Sequence, residues 1–166
     1  MILKGLFARK PDKAKILYEA IVAAARQEKF YAQWGVPDTI DGRFEMISLH
    51  LFLVLDRLKE GGADTQKLRQ QLTDTFFADM DRSLREMGVG DLSVGKKVRK
   101  MAEVFYGRVT AYAAALERGG DVEAVLRRNI FAELPGDDVT VFASWVRDSR
   151  ARLANQDLEQ GKVVFT

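Results

Sequence analysis

Apolar residues return every third or fourth position along most of this chain and almost nowhere in strict alternation, which is the period of helices rather than strands. From Pro11, whose missing N–H costs nothing in a first helical turn, Ala14, Leu17, Ile21 and Ala24 or Ala25 mark one apolar face. The aromatics Phe30, Tyr31 and Trp34 then run into Gly35 and Pro37, predicting a short helical turn and a loop. Thr39 is an N-cap candidate for a helix with Phe44, Ile47, Leu51, Leu55 and Leu58 on one face. Met46, Leu49, Leu53 and Val54 fill much of its remaining circumference, and a helix apolar nearly all round belongs in the middle of a bundle. Gly61 and Gly62 end it.

Leu68, Leu72, Phe76, Met80, Leu84 and Met87 form the next series, closed by Gly88 as a C-terminal cap. Val94, Val98, Met101, Phe105, Tyr112 and Leu116 repeat the logic up to Gly119 and Gly120. A shorter helix follows, with Asp121 as N-cap and Pro135–Gly136 as its stop. Val139, Phe142, Val146 and Leu153 share a face of the last helix, and the tail GKVVFT reads as a stray strand or as disorder. The prediction is an all-α fold, one domain over residues 1–166, a bundle of five to six principal helices. Residues 1–10 are expected to be a flexible basic amphipathic start, and residues 157–166 a flexible tail.

Composition narrows the chemistry. The 166 residues include no cysteine, so disulfides and sulfur-based metal sites are excluded. His50 is the single histidine, which argues against a histidine-rich metal centre. A net charge of +2 is too mild to imply nucleic acid by itself, and no DNA partner is expected. The longest strongly apolar stretch, Met46 to Leu55, falls far short of the roughly 20 residues that a membrane span needs.

Two stretches imitate a nucleotide site. Gly90 to Lys96 spell G-x-x-x-x-G-K, and LFLVLD (Leu51 to Asp56) resembles an apolar strand ending in a magnesium-binding aspartate. A working P-loop needs a strand before it, and Ser or Thr after the lysine. Here the preceding segment is helical by period, Lys97 follows Lys96, and LFLVLD lies inside a helix. The simpler reading is that Gly88 and Gly90 end one helix and Asp91 or Ser93 starts the next. Lys96, Lys97, Arg99 and Lys100 then crowd the first turns of a helix, where the macrodipole favours acidic residues. Local stability does not ask for that, so a solvated face and an anionic partner surface compete as explanations.

Three blocks resemble one family: PDTIDGRFEMISLH (Pro37 to His50), FFADMDRSLREMGVGDLSVGKKVRKMAEVFYGR (Phe76 to Arg108) and VLRRNIF (Val125 to Phe131). In this order they are similar to the ubiquinol–cytochrome c chaperone family, the assembly factors of the respiratory cytochrome bc1 complex. The resemblance implies a helical, non-catalytic protein that binds newly made cytochrome b and supports its assembly, with no cofactor or metal. Mitochondrial members work with a small partner subunit and associate with the ribosome. With no targeting presequence and no long amino-terminal extension, this chain resembles the short bacterial form. It is then expected in the cytoplasm, peripheral on the cytoplasmic face of the inner membrane. The resemblance leaves the small partner, the ribosome and the oligomeric state open.

The candidate client or partner surface comprises Arg43, Arg85, Lys96, Lys97, Arg99, Lys100, Tyr106 and Arg108, which lie in the family-like blocks. They either satisfy helix ends and buried groups or line a groove. Asp79 and Asp81, at i and i+2, point to different faces and suit ion pairs with Arg82 or Arg85 rather than a catalytic pair. His50 on the central helix reads as a hydrogen-bonded interior histidine. Phe30, Tyr31 and Trp34 read as core or loop anchors. The rival functions are a basic-patch module for RNA, ribosome or anionic lipid, and, least supported, a small nucleotide-binding enzyme.

Overall fold

The computed structural model describes residues 12–132 and 139–166. Among them are six α-helices: α1 (Lys13–Ala25), α2 (Ile40–Leu58), α3 (Ala63–Glu86), α4 (Asp91–Leu116), α5 (Val122–Asn129) and α6 (Val139–Leu153). The expectations for residues 1–10, Pro11 and Pro135–Gly136 lie outside the described residues. Asp12 caps α1, its carboxylate accepting from the Lys15 amide at 3.1 Å.

Every residue of α2 from Phe44 to Leu55 is buried, and α1, α3, α4 and α6 all pack against this helix. That is the arrangement its all-round apolarity demands, each buried Leu, Ile or Phe being worth roughly 1.5–3 kcal/mol. Thr39 caps it, its hydroxyl accepting from the Gly42 amide at 3.0 Å. Gly42 admits no larger residue, because a Cβ there would lie 1.9 Å from the Pro37 carbonyl oxygen. The loop 34–39 thus folds tightly over the start of α2.

α3 ends in a full Schellman motif. Gly88 takes the left-handed conformation at φ 85°, its amide donates to Arg85 O, and the Val89 amide donates to Leu84 O. This corrects one expectation: Met87, placed on the apolar series, is exposed at 51%. As the C-cap residue it has already left the helical period that buries Leu84.

α4 starts at Asp91 with Gly90 as N-cap, so Gly95 and Lys96 lie within its second turn. The P-loop mimic is a helix, its amides turned along the helix axis rather than into a cradle. The other mimic dissolves as well. Asp56 accepts from Arg150 Nε at 2.8 Å and from Lys59 Nζ at 2.9 Å.

The tail, expected as a stray strand or as disorder, forms no strand: after a 3-10 turn at Leu158–Gln160, residues 162–166 carry no regular secondary structure and hydrogen-bond to the rest of the chain. Thr166 O accepts from Trp145 Nε1 at 2.8 Å and Lys29 Nζ at 3.0 Å, and the Val164 amide donates to Gln156 Oε1 at 2.8 Å. Phe165 packs on His50, ring centres 4.7 Å apart, closing an aromatic cluster with Phe30 and Trp145. Lys29 lies over the rings of Phe30, Trp34 and Trp145. Phe30, Tyr31 and Trp34 are therefore anchors: Phe30 is fully buried, and the Tyr31 hydroxyl donates to Ala25 O.

Candidate functional site

A groove of about 750 Å³ opens between the start of α2, the middle of α4 and the end of α5. Its apolar lining comes from Ile40, Phe44, Met101, Val104 and Ile130. Ile40 is 63% exposed, an apolar side chain in water at the first position of α2. Helical spacing explains the α4 contribution, since Met101, Val104 and Arg108 follow one another at three- and four-residue steps. Polar groups complete the lining: Lys100, Arg108 and Arg128 as cations, Asp41 and Glu45 as carboxylates.

Glu45 organises one wall. It is buried, and Arg108 reaches it from α4 with a two-pronged grip, Nε to Oε2 at 2.9 Å and Nη2 to Oε1 at 2.7 Å. Hydrogen bonding to Glu45 raises the Arg108 pKa, so the guanidinium is permanently charged. Beneath this wall the Tyr112 hydroxyl and the Asn129 amide lie side by side, and among the described residues neither makes a hydrogen bond of normal geometry. Burial drives the Tyr112 phenol well above its usual range, keeping it neutral. A buried polar group without a partner costs about 1–3 kcal/mol, which makes Asn129 a conspicuous feature of the groove wall.

The eight candidate residues do not form one site. Lys100 and Arg108 line the groove. Lys96, Lys97 and Arg99 are exposed on α4, and Lys100 meets Glu103 at 3.3 Å. Arg43 sits in the first turns of α2 and pairs with Asp38 at 2.8 Å. Arg85 pairs with Asp81 at 2.7 Å and with Asp91, tying the end of α3 to the start of α4. Tyr106 is exposed on another flank of α4, against Phe77 and Phe105. Asp79 accepts from the Tyr18 hydroxyl at 2.8 Å and pairs with Arg82, the structural role expected of it.

Sequence reasoning missed Ile40, Glu45, Arg128 and Asn129. All four lie inside the family-like blocks, but nothing in their spacing marks them. They meet only when α2, α4 and α5 come together.

Among the described residues no helix is long and apolar enough to cross a membrane. The sequence profile of the ubiquinol-cytochrome C chaperone family matches residues 32–161, which include the whole groove. Ubiquinol-cytochrome-c reductase complex assembly factor 1 of Xenopus laevis is 23% identical over 96 residues, 58% of this chain and 48% of that protein. Its Drosophila melanogaster namesake is 23% identical over 155 residues, covering 90% of this chain and 60% of the relative. This chain thus spans about half the length of these relatives, 48% and 60% of them. A crystal structure described as the Cbp3 homolog from Brucella abortus superposes with a TM-score of 0.84 at 43% identity, covering 93% of this chain and 88% of that one. The chain belongs to the ubiquinol-cytochrome C chaperone family.

Proposed function

We propose that this chain is a non-catalytic assembly chaperone for the cytochrome bc1 complex, and that it holds a segment of newly made cytochrome b in the α2–α4–α5 groove. The relatives are named as assembly factors of ubiquinol-cytochrome-c reductase, the same complex. One observation carries the placement: a groove with an apolar floor whose wall contains a buried amide, Asn129, that makes no hydrogen bond of normal geometry among the described residues. A side-chain amide offers one donor and one acceptor group, the complement of a peptide bond. Rotation of Asn129 would turn that pair toward a guest backbone while Met101, Val104 and Ile130 take an apolar side chain. Lys100 and Arg128 at the rim suit an acidic neighbour in the guest. Such a groove shields an unassembled apolar segment until a partner subunit replaces it. The client being a membrane protein, the exchange takes place at the membrane surface.

The test is site-specific photo-crosslinking during cytochrome b synthesis. A photoreactive residue at Met101 or Val104 should capture cytochrome b, whereas one at Ile16, exposed on α1, should not. Ile40→Asp should lower capture and the bc1 haem signals in redox difference spectra. Equal capture from Ile16, or none from the groove, would remove the placement. Normal bc1 content in cells lacking the protein would remove the assembly role.

A further inference from the structure

The corner where α3 turns into α4 carries an exposed pairing of apolar and basic side chains that the groove does not use. Leu92, in the first turn of α4, is 100% exposed, and Met87, just upstream at the same corner, is half exposed. At 3.6 residues per turn, Lys96 and Arg99 fall within about 40° of Leu92 around the α4 axis, while Val94 and Phe105 point to the opposite, buried side. Leu92, Lys96 and Arg99 are thus one outward stripe, whereas Lys97 lies about 140° from Leu92, on the arc of α4 that carries Val104 and Arg108. Among the described residues none of these three cations meets a carboxylate, whereas Lys100 next to them does. Acids at this corner and along α4 are already engaged: Asp91 and Asp81 with Arg85, Glu86 with Arg82 at 4.0 Å, and Glu103, one turn on from Arg99, with Lys100.

We propose that this corner docks on an anionic lipid surface, with Leu92 and Met87 entering the headgroup boundary and Lys96 and Arg99 meeting lipid phosphates. Charge alone would suit a nucleic-acid backbone equally well, but such a partner leaves Leu92 and Met87 in water. A bilayer interface takes both kinds of side chain at once. Each basic residue near an anionic leaflet is worth about fivefold in partitioning, the equivalent of about 1 kcal/mol. Two apolar side chains provide the second signal that stable interfacial binding requires. Because the groove lies on the adjoining flank of α4, through Lys100, Met101 and Val104, docking by this corner holds the groove open beside the membrane rather than against it. The inference takes only its membrane setting from the assembly reading, and vesicle binding is measured without any client.

The experiment is co-sedimentation of the full chain with vesicles of phosphatidylcholine alone or mixed with phosphatidylglycerol. Binding is expected only to the anionic vesicles and should weaken with salt. Lys96→Gln and Arg99→Gln combined should lower partitioning at least tenfold, and Leu92→Ser alone severalfold. A control that removes the same charge elsewhere, Arg118→Gln and Arg147→Gln, should bind like the unaltered chain. All replaced side chains are exposed, so circular dichroism and Tm should not change. No binding to anionic vesicles overturns the proposal. So does equal weakening in the control, which would reduce the effect to net charge. Full binding by Leu92→Ser, with RNA competing the vesicles off, would make the corner a nucleic-acid surface instead. Vesicle binding with no capture of cytochrome b would leave this docking surface standing and the assembly reading without support.

Discussion

Glu45 owes its place in the bundle to one partner. Its carboxylate lies among apolar side chains of α2, and the Arg108 guanidinium supplies the opposing charge. Breaking such a pair from one side is expensive because a charge remains buried, whereas replacing both partners is often nearly neutral. Arg108→Met should therefore cost about 3 kcal/mol in urea unfolding, and adding Glu45→Met should recover most of it. If the double variant is as unstable as the single, the pair is not the source of the cost. Gly42 is the second sensitive residue. Gly42→Ala pushes a methyl group into the Pro37 carbonyl and should cost about 1–3 kcal/mol, as overpacking does. Since Pro37 and Gly42 both border the groove, the same variant should weaken capture of a guest. A Tm equal to the parent's would show that the loop yields freely.

At the scale of elements, the termini of the helices behave as their residues foretell and the tail does not. Thr39 and Asp121 each cap a helix through a side-chain oxygen, and Gly88 closes α3 in the left-handed conformation. These are local devices, legible at a glance. The tail is held by distant groups instead: Trp145 from α6, Lys29 from the π-helical turn Lys29–Gln33, and His50 from α2. Its own sequence carries no sign of them, which is why it reads as loose. Phe165 shields the His50 ring, whose Nδ1–H donates to Met46 O at 2.8 Å and whose Nε2 has no partner among the described residues. Phe165→Ala should lower stability by about 2 kcal/mol, less than for a fully buried phenylalanine. It should also admit water to the ring and raise the His50 pKa, a change that NMR reads directly because the chain has one histidine. An unchanged titration would mean that the tail does not seal the pocket.

At the scale of the whole molecule, stability and pH are linked through that histidine. Burial lowers the His50 pKa from 6.5 to about 4, so the unfolded chain binds the proton more tightly than the folded one. Its contribution is fully present above pH 6.5 and is lost as pH falls toward 4. At about 1.4 kcal/mol per unit, the loss amounts to about 3 kcal/mol. His50→Leu should flatten this part of the pH dependence when urea unfolding is compared at pH 7 and at pH 4.5. Parallel curves for the two proteins would rule the histidine out. The helices are also tied at long range by arginines that reach helix ends. Arg150 of α6 meets Asp56 of α2 and the Leu116 carbonyl of α4, and Arg57 of α2 meets the carbonyls of Leu153 and Gln156.

Apolar period, caps and glycine stops are properties of neighbours in the chain. They were enough to foretell a bundle of five to six helices, the central place of α2, the helical nature of the false P-loop and, through three blocks of residues, the family. Spacing along a helix likewise assigned Asp79 and Asp81 to ion pairs. The groove is of another kind. Glu45 and Arg108 lie 63 positions apart, and Asn129 comes from a third helix, so their meeting depends on how α2, α4 and α5 cross. The tertiary structure alone decided which basic residues belong to the groove and which to the outward corner. A charge pattern in the sequence has a position along a helix, but it acquires a neighbour and a direction only when that helix is packed.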